Sequence, residues 1–94
     1  MIDNKSIVDY ITEFLEHAEI NKNQAMKTII NYQHYLMRFV DFAGLIKPHE
    51  ITTVITQKYR VYLNRINDKH GLPLSKKTQS YHMIALRAFL KYLL

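Results

Sequence analysis

The chain has 94 residues, of which 48% are hydrophobic and 22% are charged, a composition that favours one folded domain over residues 1–94 and argues against disorder. The absence of cysteine excludes disulfides and thiolate metal sites, and no apolar run approaches the ~20 residues that a membrane span needs. The formal charge of +5 suggests a polyanionic partner, and these features together predict a cytoplasmic protein without a membrane partner.

The charges are unevenly distributed along the chain. Residues 1–20 contain one lysine against five acidic residues, whereas residues 71–94 contain four cationic residues and no acid. A merely soluble surface does not require such segregation, so the C-terminal segment is the first candidate for contact with a polyanion.

Apolar residues recur at intervals of three and four in the first half of the chain, which is the spacing of amphipathic helices. The pattern predicts a first helix over about residues 6–18. A second helix has apolar positions from Ala25 to Ala43, and Gly44 is placed to act as its C-cap.

The second half of the chain repeats this spacing after a connection bracketed by Gly44 and Pro48. A third helix is predicted from the apolar positions of residues 51–66, with Thr52 or Thr53 as its N-cap. A fourth helix follows Ser75, the expected N-cap after the second connection. No segment alternates with period two, so the predicted fold is all-α, a compact bundle of four helices with short loops.

One face of the second helix carries polar residues at helical spacing and no acid. They are Gln24, Lys27, Thr28, Asn31, Tyr35 and Arg38. Cations and hydroxyls can bind phosphates, and amides can read base edges, so the stripe suits a DNA groove. A solvated surface without a partner explains the same composition.

The fourth helix opens with a second polar stripe, made of Ser75, Lys76, Lys77, Gln79, Ser80 and Tyr81. Lysines are unfavourable at a helix N-terminus, because the helix dipole is positive there. A phosphate bound at the free backbone N–H groups would relieve this repulsion. The stripe therefore also indicates DNA.

No constellation of catalytic residues is evident. The five histidines lack metal-ligand spacing, no serine or threonine has an evident base, and two glycines cannot form a glycine-rich phosphate loop. We therefore expect no metal, no cofactor and no catalytic residue in this chain.

The second helix, "TIINYQHYLMRFVDF" (28–42), resembles that of the N-terminal, SAM-like core-binding domain of tyrosine recombinases, the phage-integrase family. Its matching positions are Thr28, Tyr32, Leu36, Phe39 and Phe42. The segment "LSKKTQSYHMIALRAFLKYLL" (74–94) is similar to the last helix of that domain. Its matching positions are Leu74, Ser75, Thr78, Leu86, Arg87, Phe89, Tyr92 and Leu93. The stretches 7–17 and 51–63 also fit, so the resemblance covers nearly the whole chain.

The resemblance implies that the second and fourth helices cross the major groove of double-stranded DNA in a bacterial mobile element's integrase. The residues it places near DNA are Lys27, Thr28, Asn31, Lys76, Lys77, Ser80, Tyr81 and Arg87. It also implies that neighbouring protomers touch through this domain on DNA. Catalysis in the family belongs to a C-terminal domain, which we expect to be absent from this chain, so the chain by itself is not expected to be an enzyme.

Two positions depart from the family pattern. Ala25 replaces a frequent serine, so Asn21 or Asn23 is expected to cap the second helix, and Gln79 replaces an aliphatic residue.

The apolar C-terminus leaves an alternative function open. The residues Ile84, Leu90, Leu93 and Leu94 exceed what one core stripe can bury, so they either complete the bundle or pack against a linker or neighbour. With the acidic first helix, such a surface would also suit a helical protein–protein interaction module.

Overall fold

The first helix, α1 (Ile7–Ile20), begins at a serine that precedes an apolar-periodic run. The Asp9 amide donates to Ser6 Oγ (3.2 Å) and the Ser6 amide donates to Asp9 Oδ2 (3.0 Å), which forms a capping box. The computed structural model describes residues 5–94, so the expected domain over residues 1–94 is described from Lys5 onward.

The second helix, α2 (Met26–Ala43), ends at Gly44, whose φ of 82° and N–H bond to the Val40 carbonyl confirm the predicted C-cap. The expectation that Asn21 or Asn23 caps its start is wrong. Asn23 turns the chain with a left-handed φ of 51°, so the N-cap position falls on Ala25, which has no side-chain acceptor.

A short 3₁₀ turn (Pro48–Glu50) leads into the third helix, α3 (Thr53–Arg65). Of the two threonines considered, Thr52 is the N-cap, and its Oγ1 accepts from the Ile55 amide at 3.2 Å. The fourth helix, α4 (Lys76–Leu93), begins as predicted after Ser75, whose Oγ accepts from the Thr78 amide at 3.1 Å.

The loop between α3 and α4 is held together by one aspartate. Asp68 Oδ1 accepts from the amides of His70 (2.8 Å) and Leu72 (3.0 Å), and the Asp68 amide donates to the Leu72 carbonyl at 2.6 Å. Gly71 supplies the positive φ of 77° that this turn requires. An isolated antiparallel bridge between Asn67 and Pro73 is the only extended pairing within residues 5–94, so the fold is all-α as predicted.

All four helices contribute to one core. α1 and α3 each pack against both α2 and α4, which also contact each other. The largest fully buried side chains of this core are Tyr59, Phe39, Phe89, Ile7, Ile11, Leu36, Leu63, Leu86 and His82. Phe14 contacts Phe89 edge to face, with ring centroids 5.6 Å apart, and so joins α1 to α4.

The sequence left two alternatives open for the apolar residues near the C-terminus, and different residues follow different alternatives. Leu90 and Leu93 pack against the core and complete the bundle. Ile84 and Leu94 are exposed by 46% and 102% and have no such role. No helix within residues 5–94 combines the length and apolar character needed to cross a membrane.

Candidate nucleic-acid interface

The two helices that carry the polar stripes run side by side in opposite directions. Tyr35 and Arg38, in the second half of α2, contact His82 near the start of α4. Tyr32, near the start of α2, lies beside Ala88 and Tyr92 at the end of α4. The N-terminal end of each helix therefore lies next to the C-terminal end of the other.

The centre of this helix pair is a polar cluster, and not a free surface. Arg38 Nη1 donates to His82 Nε2 at 3.2 Å, and the Tyr35 ring lies 4.4 Å from the His82 ring between centroids. Both α2 residues are half-buried. The polar stripe of α2 thus faces solvent at its beginning but packs against α4 at Tyr35 and Arg38.

His82 is 1% exposed, and its neutral form fits its surroundings. Since a guanidinium can only donate, Nε2 must accept from Arg38, which leaves Nδ1 to donate to the Thr78 carbonyl at 2.7 Å. Burial lowers the pKa of His82; the bond to the Thr78 carbonyl opposes this shift, and the charges of Arg38 and His34 add to it. Neutral His82 therefore fixes the side chain of Arg38.

The predicted residues of α2 lie on its first turns. Lys27 and Asn31 are exposed, and Thr28 is half-buried. Asn31 is seven positions before Arg38, and Lys77 is five positions before His82, so Asn31 and Lys77 are roughly 15–20 Å apart along the helices. The structure therefore does not bring the predicted residues into one cluster: Lys76 and Lys77 lie towards the opposite end of the α2–α4 pair from Asn31, whereas Arg87, beyond His82, lies towards the same end as Asn31.

The predicted residues of α4 divide between two sides of that helix. Lys77 Nζ lies 5.9 Å from the centroid of the Tyr81 ring, and both side chains are exposed. Lys76, Ser80 and Arg87 instead line an open groove between α3 and α4. Lys76 Nζ donates to Asn64 Oδ1 at 2.8 Å, a contact with α3 that holds the lysine at the groove.

The α3 side of this groove carries polar residues that are absent from the predicted set, Gln57, Arg60, Asn64 and Arg65. Its α4 side includes Gln79 of the second polar stripe. Spacings of three and four put Gln57, Arg60 and Asn64 on one face, and residues 53–65 contain three cations and no acid. This signal is present in the sequence, on the face of the third helix that lies beside its apolar stripe.

Acidic side chains are concentrated elsewhere. Asp9, Glu13, Glu16 and Glu19 lie on α1, and the one ion pair within residues 5–94 joins Lys5 Nζ to Glu13 Oε1 at 2.7 Å. No cation of α3 or α4 is paired with a carboxylate among the described residues. No group of three or more histidine and acidic side chains in this part of the chain is arranged to bind a metal ion.

Fold and charge together define a small helical domain with a cationic surface on α3 and α4. Residues 11–94 match the family model described as the phage integrase, N-terminal SAM-like domain, and the chain belongs to this family. The resemblance to the core-binding domain of tyrosine recombinases, inferred from α2 and α4, is thereby confirmed.

Curated relatives agree with this assignment. Tyrosine recombinase XerC of Bacillus subtilis is 28% identical over 90 residues, which are 96% of this chain and 29% of the relative. Tyrosine recombinase XerC of Bacillus pumilus is 33% identical over 81 residues, 86% of this chain and 26% of the relative. The chain thus spans less than a third of the length of these relatives and corresponds to their N-terminal, SAM-like part. No solved structure matches the chain.

Proposed function

We propose that this domain binds double-stranded DNA at the core site of a tyrosine recombinase and grips it through the major groove during DNA integration or recombination. The observation that carries the proposal is the unneutralised cationic surface of α4, in a chain that belongs to the integrase family. Catalysis would belong to a part of the longer protein outside this chain, and the site of action would be the cytoplasm.

The separation of Asn31 from Lys77 supports a specific docking geometry. The major groove is about 12 Å wide, less than the roughly 15–20 Å between the groups around Asn31 and Lys77. Lys27 and Lys77, which lie further apart than the groove is wide, can therefore contact the backbone at opposite edges while Asn31 lies towards the bases. Protomers bound to adjacent half-sites would touch through this domain.

Each predicted side chain has a role that its chemistry allows. The cations Lys27, Lys76, Lys77 and Arg87 would bind phosphates, and the hydroxyls of Thr28, Ser80 and Tyr81 would donate to phosphate oxygens. Asn31 is the candidate for base readout, since an amide can bond both N6 and N7 of adenine.

Fluorescence anisotropy with a random duplex at several salt concentrations tests this proposal. Lys77→Ala should weaken binding to every duplex and reduce the slope of log affinity against log salt by about one, because one phosphate contact is lost. Lys58→Ala is the matched control, because Lys58 is also exposed but lies outside the α3–α4 groove and outside the predicted set.

Base readout requires a sequence comparison. Against a panel of duplexes that includes the cognate core site, Asn31→Ala should lower the preference for that site with little change in salt slope. Weak binding of wild type that hardly responds to salt would reject DNA binding and favour the protein-interaction alternative, to which the exposed Ile84 and Leu94 would then contribute.

A further inference from the structure

The groove between α3 and α4 is open and cationic. Four cations line it: Arg60 and Arg65 from α3, and Lys76 and Arg87 from α4. All four are exposed, and none forms an ion pair with a described carboxylate. Lysine and arginine side chains spread along a groove, with no acid among the lining residues, favour an extended anion over a compact one.

The walls of the groove hold its polar groups in defined positions. Asn64 Oδ1 accepts from Lys76 Nζ at 2.8 Å and from Gln79 Nε2 at 3.4 Å, which ties the end of α3 to the start of α4. Gln79 Nε2 also donates to the Leu74 carbonyl at 2.9 Å. The departure of Gln79 from the aliphatic residue usual in the family thus has a structural consequence, since an aliphatic side chain could not form this bridge.

The groove has the length and the lining that a nucleic-acid strand needs. Lys76 and Arg87 are eleven residues apart on α4, or roughly 16 Å, a span that several consecutive phosphates of one strand can occupy. Between the cations lie Val61, Met83 and Ile84, and Val61 and Ile84 are about half exposed. Apolar groups between cations suit the alternation of sugars and phosphates along a strand.

We propose that the α3–α4 groove holds the sugar-phosphate backbone of one strand of the bound duplex, with Arg60 and Arg65 of α3 as phosphate contacts. This inference rests on the proposed function and extends the DNA interface from α2 and α4 to α3. Lys76, Ser80 and Arg87 then contact the strand in the groove, whereas Lys77 and Tyr81 contact DNA on the other side of α4.

The direct test is the double variant Arg60→Ala/Arg65→Ala in the same salt titration, with Lys58→Ala as the control on the same helix. Loss of two phosphate contacts should reduce the salt slope by about two and weaken binding roughly 10–100-fold near 0.1 M salt. Lys58→Ala should change the affinity less than twofold. Circular dichroism and thermal melting of both variants establish that the fold is retained.

A second test reports where the bound DNA lies and leaves the cations of the groove in place. Because the chain has no cysteine, Gln57→Cys places a single thiol in the groove for attachment of an iron chelate that generates hydroxyl radicals. Cleavage of a bound duplex should be strong from this position and at least fivefold weaker from Lys58→Cys, on a different face of α3. Equal cleavage from the two positions would overturn the proposal.

The outcomes separate this inference from the proposed function. If wild type binds duplex DNA and Lys77→Ala weakens it while the double variant matches Lys58→Ala, then the function stands and the groove assignment is wrong. If the double variant instead abolishes self-association in sedimentation experiments without DNA, the groove takes the acidic α1 of a second copy, which also overturns the assignment. Loss of duplex affinity with the reduced salt slope supports it.

Discussion

The hydroxyl of Tyr59 lies in the core without a hydrogen-bond partner among residues 5–94. Its ring is fully buried and packs edge to face on Phe39, with centroids 5.0 Å apart. Burial raises the pKa of the Tyr59 phenol above its ordinary value, because the charged form would lose its hydration. The position of Tyr59 fits the apolar spacing that predicts the third helix over residues 51–66, but the sequence carries no sign of the unsatisfied hydroxyl.

Tyr59→Phe should stabilise the domain by about 1 kcal/mol, since desolvating an unpaired hydroxyl costs free energy that phenylalanine avoids. Urea denaturation measures the change in the free energy of unfolding. Tyr62→Phe, on the same helix but half-buried, is the control and should change stability by less than about 0.5 kcal/mol. A clear loss of stability in Tyr59→Phe would show that the hydroxyl has a partner.

The sequence predicted the exposure of individual side chains correctly where exposure depends only on the residue's own helix. Lys27 and Asn31 were expected to be exposed, and they are. Arg38 was expected on the same solvent face but is half-buried against His82, 44 positions further along the chain. Helical spacing places a residue on a face of its own helix, whereas a contact between distant helices depends on packing that the spacing does not encode.

At the scale of the helices, the start of α2 is the weakest local feature. Ala25 occupies the N-cap position with an extended backbone but cannot accept a hydrogen bond from the first turn. In each of the other three α-helices, the side chain of a serine or threonine at the N-cap accepts a hydrogen bond from a backbone amide of the first turn.

Ala25→Ser should therefore stabilise the domain by about 1 kcal/mol by supplying the missing acceptor. Thermal and urea unfolding both measure the effect. Gln24→Ser, one residue before the cap, is a control that should leave stability nearly unchanged. An Ala25→Ser variant no more stable than this control would mean that water already satisfies the first N–H groups of α2.

The contact between α2 and α4 should make stability depend on pH. Because folding lowers the pKa of His82, the unfolded chain binds the proton more readily, so this contribution to stability is complete above the ordinary pKa of about 6.5. It is lost as pH falls below that value towards the folded pKa. Protonation of His82 would also break the hydrogen bond that its Nε2 accepts from Arg38, and it would place two cations side by side.

Chemical denaturation at pH 7.5 and pH 5.5 tests this linkage. Wild type should lose stability at the lower pH, and His82→Gln should lose less, since glutamine has no proton to gain. His49→Gln, at an exposed position in the 3₁₀ turn, is the matched control and should retain the wild-type dependence. The linkage is assigned to the wrong residue if His82→Gln behaves as wild type does.

At the scale of the whole molecule, the sequence predicted the number, order and approximate bounds of the helices. Most bounds depend on a signal within a few residues, such as Ser75 before α4 or Gly44 after α2, whereas the start of α2 at Ala25 has no side-chain cap. The joint surface of α3 and α4 was missed, because it exists only when Arg60 of one helix and Arg87 of the other line the same groove. Charge on a single helix is visible in the sequence, but a groove shared by two helices is not.

The loop organised by Asp68 has a thermodynamic consequence for complex formation. Its hydrogen bonds order the segment before α4 in the free domain. The proposed DNA binding therefore does not carry the conformational-entropy cost of ordering this segment. Calorimetry should then show a heat-capacity change smaller than that of coupled folding and binding. Asp68→Ala should weaken duplex affinity about tenfold while leaving the salt slope unchanged, a separation that loss of a phosphate contact could not produce.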